Sequence, residues 1–260
     1  MDVHKICHMI TPGLDSMCAY FYIMERCMTP GMDLELIHVG LSPMYSHIEE
    51  SKLDYIKSRG WIKHPIRKLN IPDVKMFIQE DPDAFIPSRN LLLATLVDVT
   101  AIPDRNYSNL ISFGFNSDDR VYDSSDVFCE LASSILSPGV SMGSLVRHMT
   151  KSELLKWFVM ESNTLSKEEK YELIDNTYSC YSGKFIECLK CNACFRKNVA
   201  LCEIGITREM NDFNFLHKRL SILNDETVSD ERKRNIIQYV VHLVSQHDRY
   251  AEFFKYIKEI

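Results

Sequence analysis

The stretch ICHMITPGLDSMCAYFYI, residues 6–23, decides the fold. Residues 3–10 are a short, mostly apolar run with β-branched residues, as in a buried strand, and the run breaks at Thr11-Pro12-Gly13. Beyond the break, Leu14, Met17, Cys18, Phe21 and Tyr22 recur at helical spacing through about residue 28. A strand, a glycine-containing turn and a helix in that order aim backbone N–H groups and a positive helix end at whatever sits above the turn. An anion such as pyrophosphate is the natural guest. Asp15 and Ser16, at the helix start, offer an N-cap, a hydroxyl donor, or a carboxylate that helps hold Mg²⁺. Taken alone, this pattern is an ordinary βα loop.

Outward from it the alternation continues. DLELIHVGL (33–41) reads as a second strand, SHIEESKLDYIKSRG (46–60) as a helix ended by Gly60, and IKHPIRKLNI (62–71) as a third strand. Ser88 to about Thr100 is expected to be helical, NLISFGF (109–115) a buried strand, and Asp123 to Leu136 helical again. Such alternation predicts an α/β fold, a Rossmann-like parallel sheet with helices on both faces and ligands at the carboxyl ends of the strands. KSELLKWFVMES (151–162) opens with a cap signal and continues as an amphipathic helix. Residues 209–260 are charged and helix-rich, with apolar faces in IIQYVVHLVSQ (236–246) and AEFFKYIKEI (251–260). We divide the chain into a nucleotide-binding α/β domain (1–150), a helical region with a cysteine cluster (151–205) and a helical C-terminal extension (206–260). The extension is either a dimer or partner surface or a helix packed on its own core; a homodimer is the expected assembly.

Cys180-x7-Cys188-x2-Cys191-x2-Cys194 lies on a polar, turn-rich stretch. Cys-x2-Cys pairs let two sulfurs reach one ion from a tight turn, so four thiolates can converge on a tetrahedral Zn²⁺. With all four positions filled, the metal is a structural staple. A disulfide cluster or free buried thiols are the alternatives, but disulfide frameworks belong to small secreted chains. Nine cysteines, no signal-peptide pattern and no membrane-length apolar run lead us to expect a cytoplasmic protein with no membrane partner. The formal charge of −6 argues against a nucleic-acid partner. No Ser/His/Asp or Cys/His arrangement stands out, and His4, His8, His38, His47, His64 and His148 show no ligand spacing.

Taken in order over about residues 3–202, these motifs resemble the 7-cyano-7-deazaguanine synthase (QueC) family. Its PP-loop, SGGxDS, is similar to Thr11-Pro12-Gly13-Leu14-Asp15-Ser16, and its VPGRN segment to IPSRN, with Pro87, Arg89 and Asn90 matching. A strand ending in Gly before an acidic, Tyr-containing loop corresponds to LISFGFNSDDRVYDSSDVF, which places Gly114. MTKSELLKW and Ser179-Cys180-Tyr181…Cys188-Cys191-Cys194 complete the series. The resemblance implies an adenine-nucleotide α-hydrolase-like fold. It also implies ATP-dependent conversion of 7-carboxy-7-deazaguanine and ammonia to the nitrile preQ0, with AMP and pyrophosphate released. The implied cofactors are structural Zn²⁺ on the four cysteines and ATP with Mg²⁺. Asp15, Ser16 and Arg89 are the implied catalytic residues; Thr11, Gly13, Leu14, Asp15, Ser16, Asn90 and Gly114 are the implied nucleotide-binding residues.

The chain departs from the family pattern in three places. Pro12 stands where the family has Gly; it lacks an N–H for pyrophosphate and excludes left-handed geometry. One lost charge-assisted donor costs about 1.5–3 kcal/mol, a tenfold to hundredfold effect. After the second strand only His38, Gly40 and a helix-borne Glu49 or Glu50 remain of an acidic and basic run. The acidic loop retains Tyr122-Asp123-Ser124-Ser125 without the family's Arg; its Asp118, Asp119 and Asp123 either bind Mg²⁺ or a guanine-like edge, or are simply solvated. A different class of function therefore stands beside the synthase: a degenerate PP-loop protein that binds nucleotide or a deazapurine, or modifies another acceptor, with a partner.

Overall fold

The structure, a computed structural model, describes residues 3–42, 44–69, 71, 86, 88–102, 107–119, 121–210, 216 and 219–246. Pro87 and the expected terminal helix 251–260 lie outside them. Strands β1 (Val3–Met9), β2 (Asp33–Val39), β3 (Ile66–Leu69), β4 (Ser108–Ser112) and β5 (Val140–Gly143) form one sheet in the order β3-β2-β1-β4-β5. Pairing is parallel throughout: Ile6 is in register with Leu34 on one side and Leu110 on the other. From the central β1 the chain builds outward to β3, then crosses back to add β4 and β5. The loops leaving β1 and β4 therefore diverge, and a crevice opens between them.

The described helices are α1 (Leu14–Tyr22), α2 (Ser46–Ser58), α3 (Arg89–Ala101), α4 (Asp126–Ile135), α5 (Lys151–Met160), α6 (Lys167–Asn176), α7 (Asn192–Cys202) and α8 (Asp230–Gln246). Successive strand residues point to opposite faces, so Ile6 and Leu36 pack with α1, α2, α5 and α6, through Met17, Phe21, Leu53, Phe158 and Leu173. Cys7, Ile37 and Ile111 face the other way, onto Ala94 and Val97 of α3 and Ala132 of α4. Burial on both faces explains why apolar residues stand side by side in each strand, as in Ile6-Cys7, Leu36-Ile37 and Leu110-Ile111, instead of alternating strictly with polar ones.

Local chemistry sets the ends. Thr150 and Ser166 cap α5 and α6, each in a reciprocal box with the glutamate three residues on. The helical spacing expected to residue 28 is realised as α1 followed by a π-helical turn, Ile23–Cys27. The third strand is shorter than expected, starting after His64-Pro65, because proline gives no N–H to a ladder. In α8, Ile236, Tyr239, Val240 and Leu243 form one stripe that packs on Phe195, Val199 and Cys202 around α7. That apolar face is buried against the chain's own core. No helix among the described residues is long and apolar enough to cross a membrane.

Candidate active site

A cavity of about 290 Å³ occupies the crevice at the carboxyl ends of β1 and β4. Four helices begin at its wall: α1 supplies Asp15 and Ser16, α3 Arg89 and Asn90, α5 Lys151, and α7 Asn192 and Ala193. Each helix start carries roughly half a positive charge, so the convergence favours an anion; Asp123 already accepts from the first turn of α3 and Asp118 from that of α5. Aromatic side chains, Phe113, Phe115, Tyr45 and Tyr181, line the rest with the carboxylates of Glu49 and Asp123.

The loop after β1 is clasped from within. The Thr11 N–H donates to Ser16 Oγ at 2.9 Å, and Ser16 Oγ donates to the Met9 carbonyl at 3.1 Å. The hydroxyl hydrogen expected to serve a ligand is thus committed to the backbone, and Gly13, not Asp15 or Ser16, is the N-cap. Gly13 has φ −64° and ψ 144°, and none of the positive-φ residues lies between 11 and 16. Pro12 therefore sits in a loop without left-handed residues and offers a ligand no N–H. Its carbonyl accepts from the Tyr178 N–H at 2.8 Å, tying the loop to the segment that enters the cysteine cluster. The Leu14 side chain is in the core and does not line the cavity, which leaves its backbone as the part of this position that could meet nucleotide. Beneath the loop, His8 is fully buried between the Ser16 carbonyl (3.2 Å) and Ser112 Oγ (3.4 Å). Burial lowers its pKa to about 4.

Two partly buried ion pairs cross the cavity floor. Lys151 Nζ lies 2.6 Å from Asp15 Oδ2, and Arg196 Nη2 lies 2.6 Å from Asp119 Oδ1. Burial raises the Asp15 pKa, and the nearby Lys151 charge only partly offsets this. For Asp119 burial pushes upward too, but Arg196 and Lys151 prevail and the carboxyl sits below its ordinary value. Arg196 in turn is held above its ordinary value, since Asp119 and Asp15 outweigh the effect of burial. The acidic loop is therefore no solvated turn: Asp119 is paired, and Asp118 Oδ2 accepts the Lys151 N–H at 3.0 Å.

Arg89 and Asn90 enter together. Ser88, at φ 54°, holds a strained left-handed conformation at the junction into α3, which brings both residues to the wall. The Asn90 amide Nδ2 donates to the Asp123 carbonyl at 3.0 Å, and its backbone N–H to Asp123 Oδ2 at 3.2 Å. Asn90 thus fixes the turn that carries Asp123. Gly114 lies against the start of α1: a Cβ there would stand 2.8 Å from Ser16 Cα.

Cys180, Cys188, Cys191 and Cys194 bring their Sγ atoms within 4.8 Å of one another. Sulfurs around a tetrahedral Zn²⁺ sit about 3.8 Å apart, as follows from Zn–S bonds of about 2.3 Å, so the cluster fits such an ion. Leu189, at φ 52°, turns the chain between Cys188 and Cys191. The N–H groups of Ser182 and Cys188 donate to Cys180 Sγ at 3.4 and 3.2 Å, as suits a thiolate. Cys180 itself, with Tyr178 and Tyr181 beside it, lines the cavity. Fully buried Lys197 braces the cluster by bonding Glu187 and the Thr177 carbonyl.

The family model for Queuosine biosynthesis protein QueC matches residues 45–205, more than half of the chain. The chain belongs to the QueC family. The QueC match takes in Arg89, Asn90, Gly114, Lys151, Arg196 and the four cysteines, and begins after the Thr11–Ser16 loop. No curated protein matches the chain. Membership places it in queuosine biosynthesis, with the Rossmann-like PP-loop fold seen here. The QueC-type cavity also contains residues that motif spacing passed over. Lys151 opens a helix whose cap is the local signal, and Arg196 follows Cys194 by two residues inside a segment whose spacing speaks for its sulfurs. Their partners, Asp15 and Asp119, are distant in sequence, so no local pattern announced the pairs.

Proposed function

We propose that this chain is an ATP-dependent synthase that converts 7-carboxy-7-deazaguanine and ammonia to 7-cyano-7-deazaguanine. The observation that carries the proposal is the convergence of four helix N-termini, Lys151 and Arg196 on a cavity beside the Thr11–Ser16 loop, in a QueC-family chain. A polyphosphate suits that wall. The α1 and α7 starts would receive the phosphates, with Lys151 and Arg196 taking charge as pyrophosphate departs. Asp15 fits a role in holding Mg²⁺, since its buried Oδ1 has no hydrogen-bond partner. Mg²⁺ bound there would neutralise phosphate charge.

The heterocycle would lie among Phe113, Phe115, Tyr45 and Tyr181, with Glu49 or Asp123 accepting from its guanine-like edge. Arg89 is the cation available to its carboxylate. Burial disfavours the Arg89 charge, yet Tyr181, Tyr45, Asp123 and Glu49 more than compensate. Chemically, a carboxylate oxygen attacks the α-phosphorus of ATP and pyrophosphate leaves. Ammonia then attacks the acyl carbon, the C–O bond to AMP breaks, and a proton is lost. The amide oxygen attacks a second ATP in the same way, and loss of AMP with two protons leaves the nitrile. No side-chain nucleophile is required; orientation and fixed charge are the protein's contributions. The four cysteines would hold Zn²⁺ as a staple for the wall that carries Cys180, Tyr181 and Arg196.

The test is turnover by the zinc-loaded chain with 7-carboxy-7-deazaguanine, ammonium, ATP and Mg²⁺, following AMP, pyrophosphate and deazapurine products by mass spectrometry. Nitrile with AMP is expected. Absence of AMP from correctly zinc-loaded protein would contradict the synthase assignment for this substrate.

A further inference from the structure

The family match ends at residue 205, yet α8, beyond it, reaches back to the Asp118–Asp119 turn behind the cavity wall. Arg232 Nη1 donates to the Asp118 carbonyl at 2.7 Å, and its Nε lies 4.0 Å from Asp118 Oδ1. Asp118 is the residue whose other carboxylate oxygen accepts the Lys151 N–H, and its neighbour Asp119 pairs with Arg196. One turn along α8, Asn235, with its amide turned so that both ends are satisfied, accepts from Ser152 Oγ at 3.1 Å. The helix thus touches Ser152, next to Lys151, and Asp118, next to the Asp119 that pairs with Arg196. It is anchored independently of that contact: Tyr239 Oη donates to the Arg208 carbonyl at 2.6 Å, and its ring meets Phe195 edge-on, 6.0 Å between centroids.

We propose that α8 belongs to the active-site machinery, with Arg232 the positioning residue that holds the Asp118–Asp119 turn and, through it, Lys151 and Arg196. Arg232 touches no cavity atom itself; it acts through Asp118, whose carbonyl and carboxylate it engages from one side while the Lys151 N–H binds from the other. Lysine at position 232 would keep one charged donor for the Asp118 carbonyl and lose the second arm. The proposal rests on the cavity being the nucleotide site.

Three full-length, zinc-loaded variants test it: Arg232→Ala, Arg232→Lys and, as a control on the exposed side of α8, Arg234→Ala. Backbone hydrogen exchange is read at residues 115–119 and 150–153, and affinity for ATP with Mg²⁺ is read by calorimetry. Losing a charged hydrogen bond predicts about tenfold faster exchange in both segments and about tenfold weaker ATP binding for Arg232→Ala, with partial recovery in Arg232→Lys. Arg234→Ala is expected to match the parent, and zinc content to stay full in all three. Unchanged exchange, or faster exchange with unchanged ATP affinity, would overturn the positioning role. So would a uniform loss of protection across α7 and α8 that lysine does not repair, since that marks a merely structural residue. If the parent chain itself fails to bind ATP, the synthase assignment falls, while the brace is still decided by exchange at 115–119.

Discussion

Gly114 and Ser16 approach so closely that a Cβ on Gly114 would lie 2.8 Å from Ser16 Cα and 3.0 Å from its N. Both neighbours are backbone, so neither can swing aside. The exit of β4 and the start of α1 share this contact at the wall of the crevice. Gly114→Ala is expected to cost about 1–3 kcal/mol as an overpacked site. ATP affinity should fall further than stability, because the displaced element is the loop clasp itself; urea titration alongside calorimetry separates the two.

Lys151 is buried and pairs with the partly buried Asp15, and removing one partner leaves a poorly compensated charge. Because Asp15 keeps some access to the cavity, Lys151→Met is expected to destabilise the fold by about 1–3 kcal/mol. A double variant with Asp15→Asn should recover much of that stability while remaining inactive. Denaturation midpoints and AMP release, measured on the same preparations, check both statements.

The cysteine cluster forms part of the cavity wall, so metal should matter to ligand binding as well as to stability. About one zinc per chain is expected by elemental analysis, as four thiolates fill a tetrahedral ion. Cys191→Ala, or chelation, should lower the thermal midpoint by more than 10 °C on the roughly 10 kcal/mol scale of structural zinc sites. ATP binding should be lost with it, because Arg196 sits two residues from Cys194. Full ATP affinity in metal-free protein would contradict the coupling of the cluster to the site.

His8 gives a pH signature. Its folded pKa, about 4, lies below the ordinary value of 6.5. The unfolded chain therefore takes up the proton first, and stability present above pH 6.5 declines as pH falls towards 4. The loss is on the order of 3 kcal/mol over that window. His8→Asn, which cannot take up this proton, should flatten the slope between pH 6.5 and 4 in urea titrations.

Much of this site was legible in the sequence, and what was missed shares a physical cause. Periodicity exposed β1, the turn and α1 because an apolar strand and a 3.6-residue stripe are local signals. The cysteines declared themselves through spacing. By contrast, β5 is only four residues long and α7 is masked by the cysteines that open it. The capping box of Ser166 and Glu169 could have revealed α6. Side-chain pairings such as Asp15 with Lys151 and Asp119 with Arg196 depend on the crossover that brings β4 beside β1, which no local window contains. Leu14 shows the converse: a motif position can send its side chain into the core.

The most direct test of the account is the fate of the carboxylate oxygens. The chain would be supplied with 7-carboxy-7-deazaguanine labelled with ¹⁸O in both carboxylate positions, together with ATP, Mg²⁺ and ammonium. Activation as an adenylate moves one labelled oxygen into each AMP released, and mass spectrometry should find singly labelled AMP, with unlabelled pyrophosphate, accompanying the nitrile. Unlabelled AMP, or label appearing in inorganic phosphate alongside ADP, would contradict attack at the α-phosphorus and the function proposed for the cavity.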